Sequence, residues 1–207
     1  MRRLYLHGTM AISIILAHPN KGSFNHAIAQ AAATTLRDNG HAVILHDLYA
    51  EGFDPILSGD EIPRNATLAP AIEAYCREIR SAQGIIIVHP NWWGQPPAIL
   101  KGWIDRVFRQ GVAYEFGTND KGEGVPVGLL NARTAVIFHT ANTPADRERE
   151  IFGDPLDGLW TRCIFQFCGV KDVRRRLYTP VIISTPEQRA AWLQDVRDTV
   201  ARAFPSA

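Results

Sequence analysis

Short apolar runs separated by longer amphipathic stretches set the rhythm of this chain. Ile12, Ile14, Ile15 and Leu16 form a first run, and Ala42 to His46 a second. Gly84 to His89, with Ile85, Ile86, Ile87 and Val88, is the third and most uniform. Arg133 to Thr140 carries Ala135, Val136, Ile137 and Phe138, and Val173 to Ile183 contains a fifth run. Apolar segments this short, bounded by turn residues, are the pattern of strands buried on both faces. Between them Ser23 to Asp38, Thr67 to Ala82, Pro97 to Gln110 and Asp154 to Phe167 have helical character, and Pro186 to Ala203 closes the chain as an amphipathic helix. Ser23 suits an N-cap and Asn39-Gly40 a helix stop, while Leu48 to Pro63 reads as a surface loop. Strands alternating with helices predict an α/β fold: a five-stranded parallel sheet in the order 2-1-3-4-5, covered by helices on both faces as a three-layer sandwich. The alternation runs without repeat or linker, so residues 10–207 read as one domain, with 1–9 as a leader ahead of the first strand.

Composition changes this picture only by exclusion. The chain has 207 residues, and its 22 Lys and Arg nearly balance 21 Asp and Glu, which gives no electrostatic case for nucleic acid or an anionic membrane. No apolar stretch is long enough to span a bilayer, so no membrane insertion is expected. Cys76, Cys163 and Cys168 form no CxxC pair, and an odd number of cysteines argues against a disulfide framework; reduced thiols and a cytoplasmic location follow.

In a doubly wound sheet the ligand sits beyond the carboxyl ends of the strands, where the loops after the first, third and fourth strands meet. The first loop, His18 to Ser23, runs directly into a helix whose free N–H groups favour a phosphate, with Ser23 able to add its hydroxyl and Gly22 allowing close approach. A plain Ser cap on a surface helix would read the same way, and the spacing is not that of a Walker loop. The second loop, Pro90-Asn91-Trp92-Trp93-Gly94-Gln95-Pro96-Pro97, holds adjacent tryptophans between prolines. Both rings cannot enter the core of so short a connection. At least one must stay at the surface or line a cleft, where it suits a flat heterocycle or a subunit contact.

The stretch from Trp93-Gly94-Gln95-Pro96-Pro97-Ala98-Ile99-Leu100-Lys101-Gly102-Trp103 through Phe108, followed by Gly111-Val112-Ala113-Tyr114-Glu115-Phe116, resembles the NAD(P)H:quinone oxidoreductase family. That family has a flavodoxin-like fold. It includes mammalian and bacterial quinone reductases, the latter related to drug-modulator proteins, and a potassium-efflux ancillary protein. His18-Pro19 with Ser23-Phe24-Asn25 is similar to its flavin-phosphate loop. The resemblance implies that His18, Ser23, Phe24 and Asn25 hold the phosphate and ribityl end of a flavin; FMN is the favoured form, with FAD an alternative that a helix N-terminus would equally accept. Pro90, Asn91, Trp92, Trp93 and Gly94 would lie along the ring. Trp93 would be the active-site tryptophan, and Tyr114 an aromatic reaching a pocket shared across a homodimer. Phe116 stands where some relatives carry a second tyrosine.

The third loop departs from the family pattern. Relatives often carry Thr-Thr-Gly-Gly there, then a Tyr and a His that stabilise reduced flavin. This chain reads His139-Thr140-Ala141-Asn142-Thr143-Pro144, with Phe152 near the position of the His and Gly153-Asp154 in place. Thr140, Ala141 and Asn142 are therefore expected at the cofactor, with backbone N–H groups around Ala141 and Asn142, and the Asn142 amide, as replacement donors. Trp93, Asn142 and Tyr114 are the expected catalytic residues. Arg147 or Arg149 would add positive charge, although an alternating run such as Asp146 to Glu150 commonly marks a solvated helix face. The resulting expectation is a flavin-dependent oxidoreductase passing two electrons from NAD(P)H to a quinone-like acceptor in a ping-pong cycle. Two rivals share the fold. One is an ancillary flavoprotein beside a transporter. The other is a metal enzyme using His18, His89 and His139, each at a strand end, as zinc ligands.

Overall fold

A computed structural model describes residues 8–207. Gly8 and Thr9 precede the first strand without regular structure, and the rest of the expected leader, residues 1–7, lies outside the described residues. The apolar runs form the strands of the main sheet: β1 (Ala11–Leu16), β2 (Ala42–Asp47), β3 (Gly84–Pro90), then, after a hairpin of β4 (Tyr114–Thr118) and β5 (Gly124–Gly128), β6 (Thr134–Thr140) and β7 (Asp172–Tyr178). Every residue of β3 and β6 is buried, which is why neither shows the alternation of a half-exposed strand.

The five parallel strands lie in the order β2-β1-β3-β6-β7. The expected order 2-1-3-4-5 is thus corrected to 2-1-3-6-7, because β4 and β5 pair antiparallel as a separate two-stranded sheet between α3 (Ala98–Val107) and β6. The hairpin escaped notice because its strands carry Gly117, Gly124, Pro126 and Gly128, residues poor in strand signal.

Alternate side chains of the strands serve the two faces. Ile15, Ile85, Ile87, Ala135 and Ile137 pack with α2 (Pro70–Ser81) and α3. Ile12, Ile14, Ile86, Val88, Val136 and Phe138 pack with α1 (Phe24–Asp38) and the closing helix α6 (Pro186–Ala203). Each Ile, Val or Phe among them, fully removed from water, contributes about 1.5–3 kcal/mol of transfer free energy. A short helix α4 (Ala145–Glu150) follows β6, and a three-residue turn α5 (Pro155–Asp157) runs into a π-helix, Gly158–Gln166, where a plain helix was expected. The loop 48–63 also contains a 3₁₀ turn, Gly59–Glu61, and buries Leu48 and Phe53.

Strand register brings the key loops together. Leu16 pairs with Val88, Pro90 with Thr140, and Thr140 with Tyr178, so the carboxyl ends of β1, β3 and β6 stand side by side. Chain direction across the sheet reverses between β1 and β3, the topological switch point at which such sheets form a crevice. Among the described residues no helix is long and apolar enough to cross a membrane.

Candidate active site

Two clefts open at this edge. The first, of about 340 Å³, is lined by residues of all three loops, from His18, Ser23, Phe24 and Asn25 through Pro90, Asn91 and Trp92 to Thr140, Ala141 and Asn142. Every residue expected to hold the cofactor is here except Trp93 and Gly94. Those two line a second cleft of about 460 Å³ with Asn91, Thr143, Glu148, Phe152 and Pro155. Asn91 and Thr143 belong to both, so the clefts adjoin.

The first loop is built by local hydrogen bonds. The Asn20 side chain accepts from the Gly22 N–H at 2.9 Å, and the Asn20 carbonyl accepts from the Ser23 N–H at 3.0 Å. Ser23 caps α1 by accepting from the His26 N–H, which leaves the Phe24 and Asn25 N–H groups of the first turn without an intrahelical acceptor. His18 Nδ1 lies 3.1 Å from the Asn20 N–H, closer than its 3.3 Å contact with the Asn20 carbonyl, and so accepts there, which makes Nε2 the ring's donor. Burial lowers the pKa of His18, so the ring is neutral near pH 7.

Two asparagines tie the loops into one unit. Buried Asn25 donates Nδ2 to Thr140 Oγ1 at 2.9 Å, joining α1 to β6. The Asn91 N–H donates to the Thr140 carbonyl at 2.6 Å, and Asn91 Nδ2 donates to Glu148 Oε2 at 3.1 Å. Asn25 Oδ1 and Asn91 Oδ1 are both buried without a partner, an arrangement that costs about 1–3 kcal/mol per group unless a ligand supplies a donor.

Beyond Asn91 the chain makes a two-residue hairpin. Trp92 and Gln95 exchange both backbone hydrogen bonds at 3.0 Å, and Trp93 and Gly94 both take positive φ, 58° and 72°. Gly94 is required twice over: by its φ, and because a Cβ there would stand 2.7 Å from Pro155 Cγ. Both tryptophans stay out of the core. Trp92 is half-exposed, 6.2 Å from the His18 ring between centroids, and Trp93 is wholly exposed.

The third loop needs two corrections. The Ala141 N–H donates to the Tyr178 carbonyl at 3.1 Å, continuing the β6–β7 ladder, and so is not free for a cofactor. Asn142 Oδ1 accepts from the Ile182 N–H at 3.0 Å, which leaves its Nδ2 as the donor this loop presents. The run Asp146 to Glu150 is also not uniformly solvated: Glu148 is buried on the second cleft, while Asp146, Arg147, Arg149 and Glu150 are exposed. Arg147 lies over the Phe152 ring at 6.0 Å. Glu148 escaped the sequence reading because no residue near it in the chain marks it out; its hydrogen-bond partner, Asn91, is 57 positions away.

Tyr114 is not brought to either cleft. It lines two other depressions, one with Glu61, Arg64 and Arg109 and one with Phe116 and Cys163. The three histidines form no ligand set. His89 donates Nδ1–H to the Pro90 carbonyl at 2.8 Å and accepts from Trp160 Nε1 at 3.0 Å, so both ring nitrogens are engaged. Buried His139 faces Arg175 Nη2 at 3.2 Å, and Arg175 in turn pairs with Asp154 at 2.8 Å and Asp157 at 2.6 Å.

Comparison with known proteins agrees with the fold. The profile of a family described as having a flavodoxin-like fold matches residues 10–201. An NAD(P)H dehydrogenase [quinone] 1 from Cavia porcellus is 39% identical over 86% of this chain and 73% of its own length. The chain belongs to the NAD(P)H:quinone oxidoreductase family. Within it, an uncharacterized NAD(P)H oxidoreductase from Haemophilus influenzae is 34% identical over 87% of this chain and 89% of its own. An FMN-dependent NADH-azoreductase from Bacillus anthracis, solved in complex with FMN, covers 94% of this chain and 98% of its own with a TM-score of 0.73 at 13% identity, a likeness of fold. Where the resemblance implies a Tyr and a His on the third loop, this chain has Glu148, bonded to Asn91 of the second loop, and Phe152 on the wall of the second cleft, and Asn142 on the wall of the first.

Proposed function

We propose that this protein is a flavin-dependent NAD(P)H oxidoreductase that reduces quinone-like acceptors, with the flavin in the first cleft and both co-substrates using the second in turn. The observation that carries the reading is the pair of adjoining clefts sharing Asn91 and Thr143: a polar slot leading from a helix N-terminus, beside a space walled by Trp93 and Phe152.

The residues of the first cleft fit a flavin mononucleotide. The open N–H groups of Phe24 and Asn25, the helix dipole and the neutral His18 donor suit a phosphate. Asn25 Oδ1 and Asn91 Oδ1, acceptors without donors, suit ribityl hydroxyls and a ring N–H. Bound there, the flavin would supply two-electron redox chemistry that no side chain offers. The chain's own part is orientation and charge. Asn142 Nδ2 presents a fixed donor at the edge where negative charge develops, and Trp93 and Phe152 offer aromatic surface to a planar co-substrate. A single cleft serving donor and acceptor favours a ping-pong order.

We further infer a homodimer. Tyr114 lines neither cleft of its own chain, so a role for it at the acceptor calls for a second copy. The exposed Phe116 and Val127 on the same hairpin give that copy an apolar surface to meet. Dependence on NAD(P)H and three unpaired thiols, of which only Cys163 is exposed, suit the reducing cytoplasm. Purified protein should be yellow, release FMN on denaturation, and oxidise NADH or NADPH when a quinone is supplied. A colourless protein that takes up no added FMN would overturn the reading.

A further inference from the structure

At the phosphate end of the first cleft, Ser23 heads a chain of three polar side chains whose other two members, His26 and Asp47, the family pattern leaves unassigned. His26 lies on the first turn of α1, and its Nδ1 is 2.9 Å from Ser23 Oγ. On the opposite edge of the ring, Nε2 is 3.0 Å from Asp47 Oδ2, at the end of β2. His26 and Asp47 are both largely shielded, with side-chain exposures of 19% and 17%. The groups facing the His26 ring are Asp47 from β2, Ser23 from its own helix cap, and His18 from the first loop, with 6.3 Å between the two ring centroids.

Counting protons gives this chain two states. Asp47, as a carboxylate, only accepts, so it fixes a proton on His26 Nε2. If the ring is neutral, Nδ1 is an acceptor, and the Ser23 hydroxyl must turn its single proton inward to it. With one lone pair held by the His26 N–H, the cap then shows the cleft its remaining lone pair, which repels a phosphate. If the ring carries a second proton, Nδ1 donates to Ser23 Oγ, the hydroxyl proton is released toward the cleft, and a positive charge stands one residue behind the phosphate. Asp47 supports that charge from the far side. His18 cannot serve in the same way, because burial holds it neutral.

We propose that His26, positioned by Asp47, takes up a proton when the cofactor phosphate binds and thereby turns the Ser23 hydroxyl into a phosphate donor. His26 is then a positioning residue that acts through Ser23. The inference rests on the placement of the flavin phosphate proposed above.

The test is calorimetric titration of the flavin-free full-length protein with FMN in two buffers of different ionisation heat, over a range of pH, beside the same titration with riboflavin, which lacks the phosphate. Wild type should take up more protons per FMN than His26→Gln, by a difference approaching one on the alkaline side of the histidine range. Its FMN affinity should fall more steeply with rising pH than that of the variant, by up to about tenfold per pH unit. Asp47→Asn, which keeps the Oδ1 acceptor used by the Ala50 N–H, should behave like His26→Gln. Riboflavin should show no such difference. Equal proton uptake and equal pH slopes in wild type and both variants would overturn the proposal while leaving the flavin assignment intact, as would a riboflavin response matching that of FMN. Failure of wild type to bind FMN at all would overturn the flavin assignment and this proposal together.

Discussion

The two clefts are neighbours built on opposite terms. The first is made of main-chain turns and short polar side chains whose positions are fixed by bonds across the loops: Asn25 to Thr140, Asn91 to Thr140, Asn142 to Ile182. The second is made of large side chains with few such ties, and its most prominent member, Trp93, is wholly exposed on a left-handed backbone. A cofactor retained through many turnovers needs the former, because preorganised donors lose little entropy on binding. A cleft that must accept and release two different co-substrates is better served by the latter. Both depend on the ends of β3 and β6, where His89 and His139 pair in register and are buried next to the cleft residues Pro90 and Thr140.

That buried histidine pair provides the largest expected effect. Burial lowers the pKa of His89 to about 4 and of His139 to about 2, so the folded protein refuses protons that the unfolded chain accepts below the ordinary value of 6.5. Stability is therefore present above that value and lost as pH falls, by about 1.4 kcal/mol per pH unit for each histidine, from pH 6.5 toward 4. Chemical denaturation at pH 7 and pH 5 should show it, and His139→Gln should reduce the slope by the share of one histidine. Unaltered slopes would mean that the buried pair does not set acid stability.

Asn25→Ala should affect the first cleft and spare the second. Losing its bond to Thr140 should cost about 1–3 kcal/mol of stability and weaken FMN binding on the order of tenfold or more, read by flavin fluorescence. KM for the quinone, measured with FMN in excess, should hardly change. Trp93→Gly should do the reverse. Glycine removes the cost of a left-handed side chain, up to about 1–2 kcal/mol, and should raise Tm, while loss of the ring lowers kcat/KM by about tenfold with flavin content unchanged. A variant that loses flavin would erase the distinction between the clefts.

Asn142→Ala should slow reduction of bound flavin by NAD(P)H several-fold in stopped flow without releasing the flavin, since its Nδ2 is the donor presented on that side. The smallest effect is expected from Glu148→Gln. Gln preserves an acceptor for Asn91 but removes the negative charge on the second cleft. The ratio of kcat/KM for a sulfonated over an uncharged quinone should rise a few-fold, and the gain should shrink with added salt.

The first cleft was legible in the sequence because its residues lie in short loops at strand ends, and a parallel sheet fixes where those ends go. His18 to Asn25 and Pro90 to Trp92 needed only the strand positions and turn chemistry to be placed together. The second cleft was less legible. Glu148 acquires its meaning from Asn91, and Phe152 from Arg147 and Trp93, partners that only tertiary structure supplies. The donor expected at Ala141 was misjudged for a related reason: β7 extends far enough to claim its N–H, and strand ends are the least certain part of a periodicity reading. The hairpin β4–β5 was hidden by its glycines, and the π-helix by having the same apolar spacing as an ordinary helix.

The contact between Gly94 and Pro155 bears on how such an enzyme changes over generations. The tip of the tryptophan hairpin rests against a residue from a distant part of the chain, with no room for a side chain between them. Substitutions at Phe152 and Pro155 can therefore reshape the mouth of the second cleft, the proposed acceptor site, from outside, while the turn that carries Trp93 and the loops of the first cleft keep their own sequence. Inherited variation in acceptor choice should collect on the far wall, at 152 and 155, and leave His18 to Asn25 unchanged.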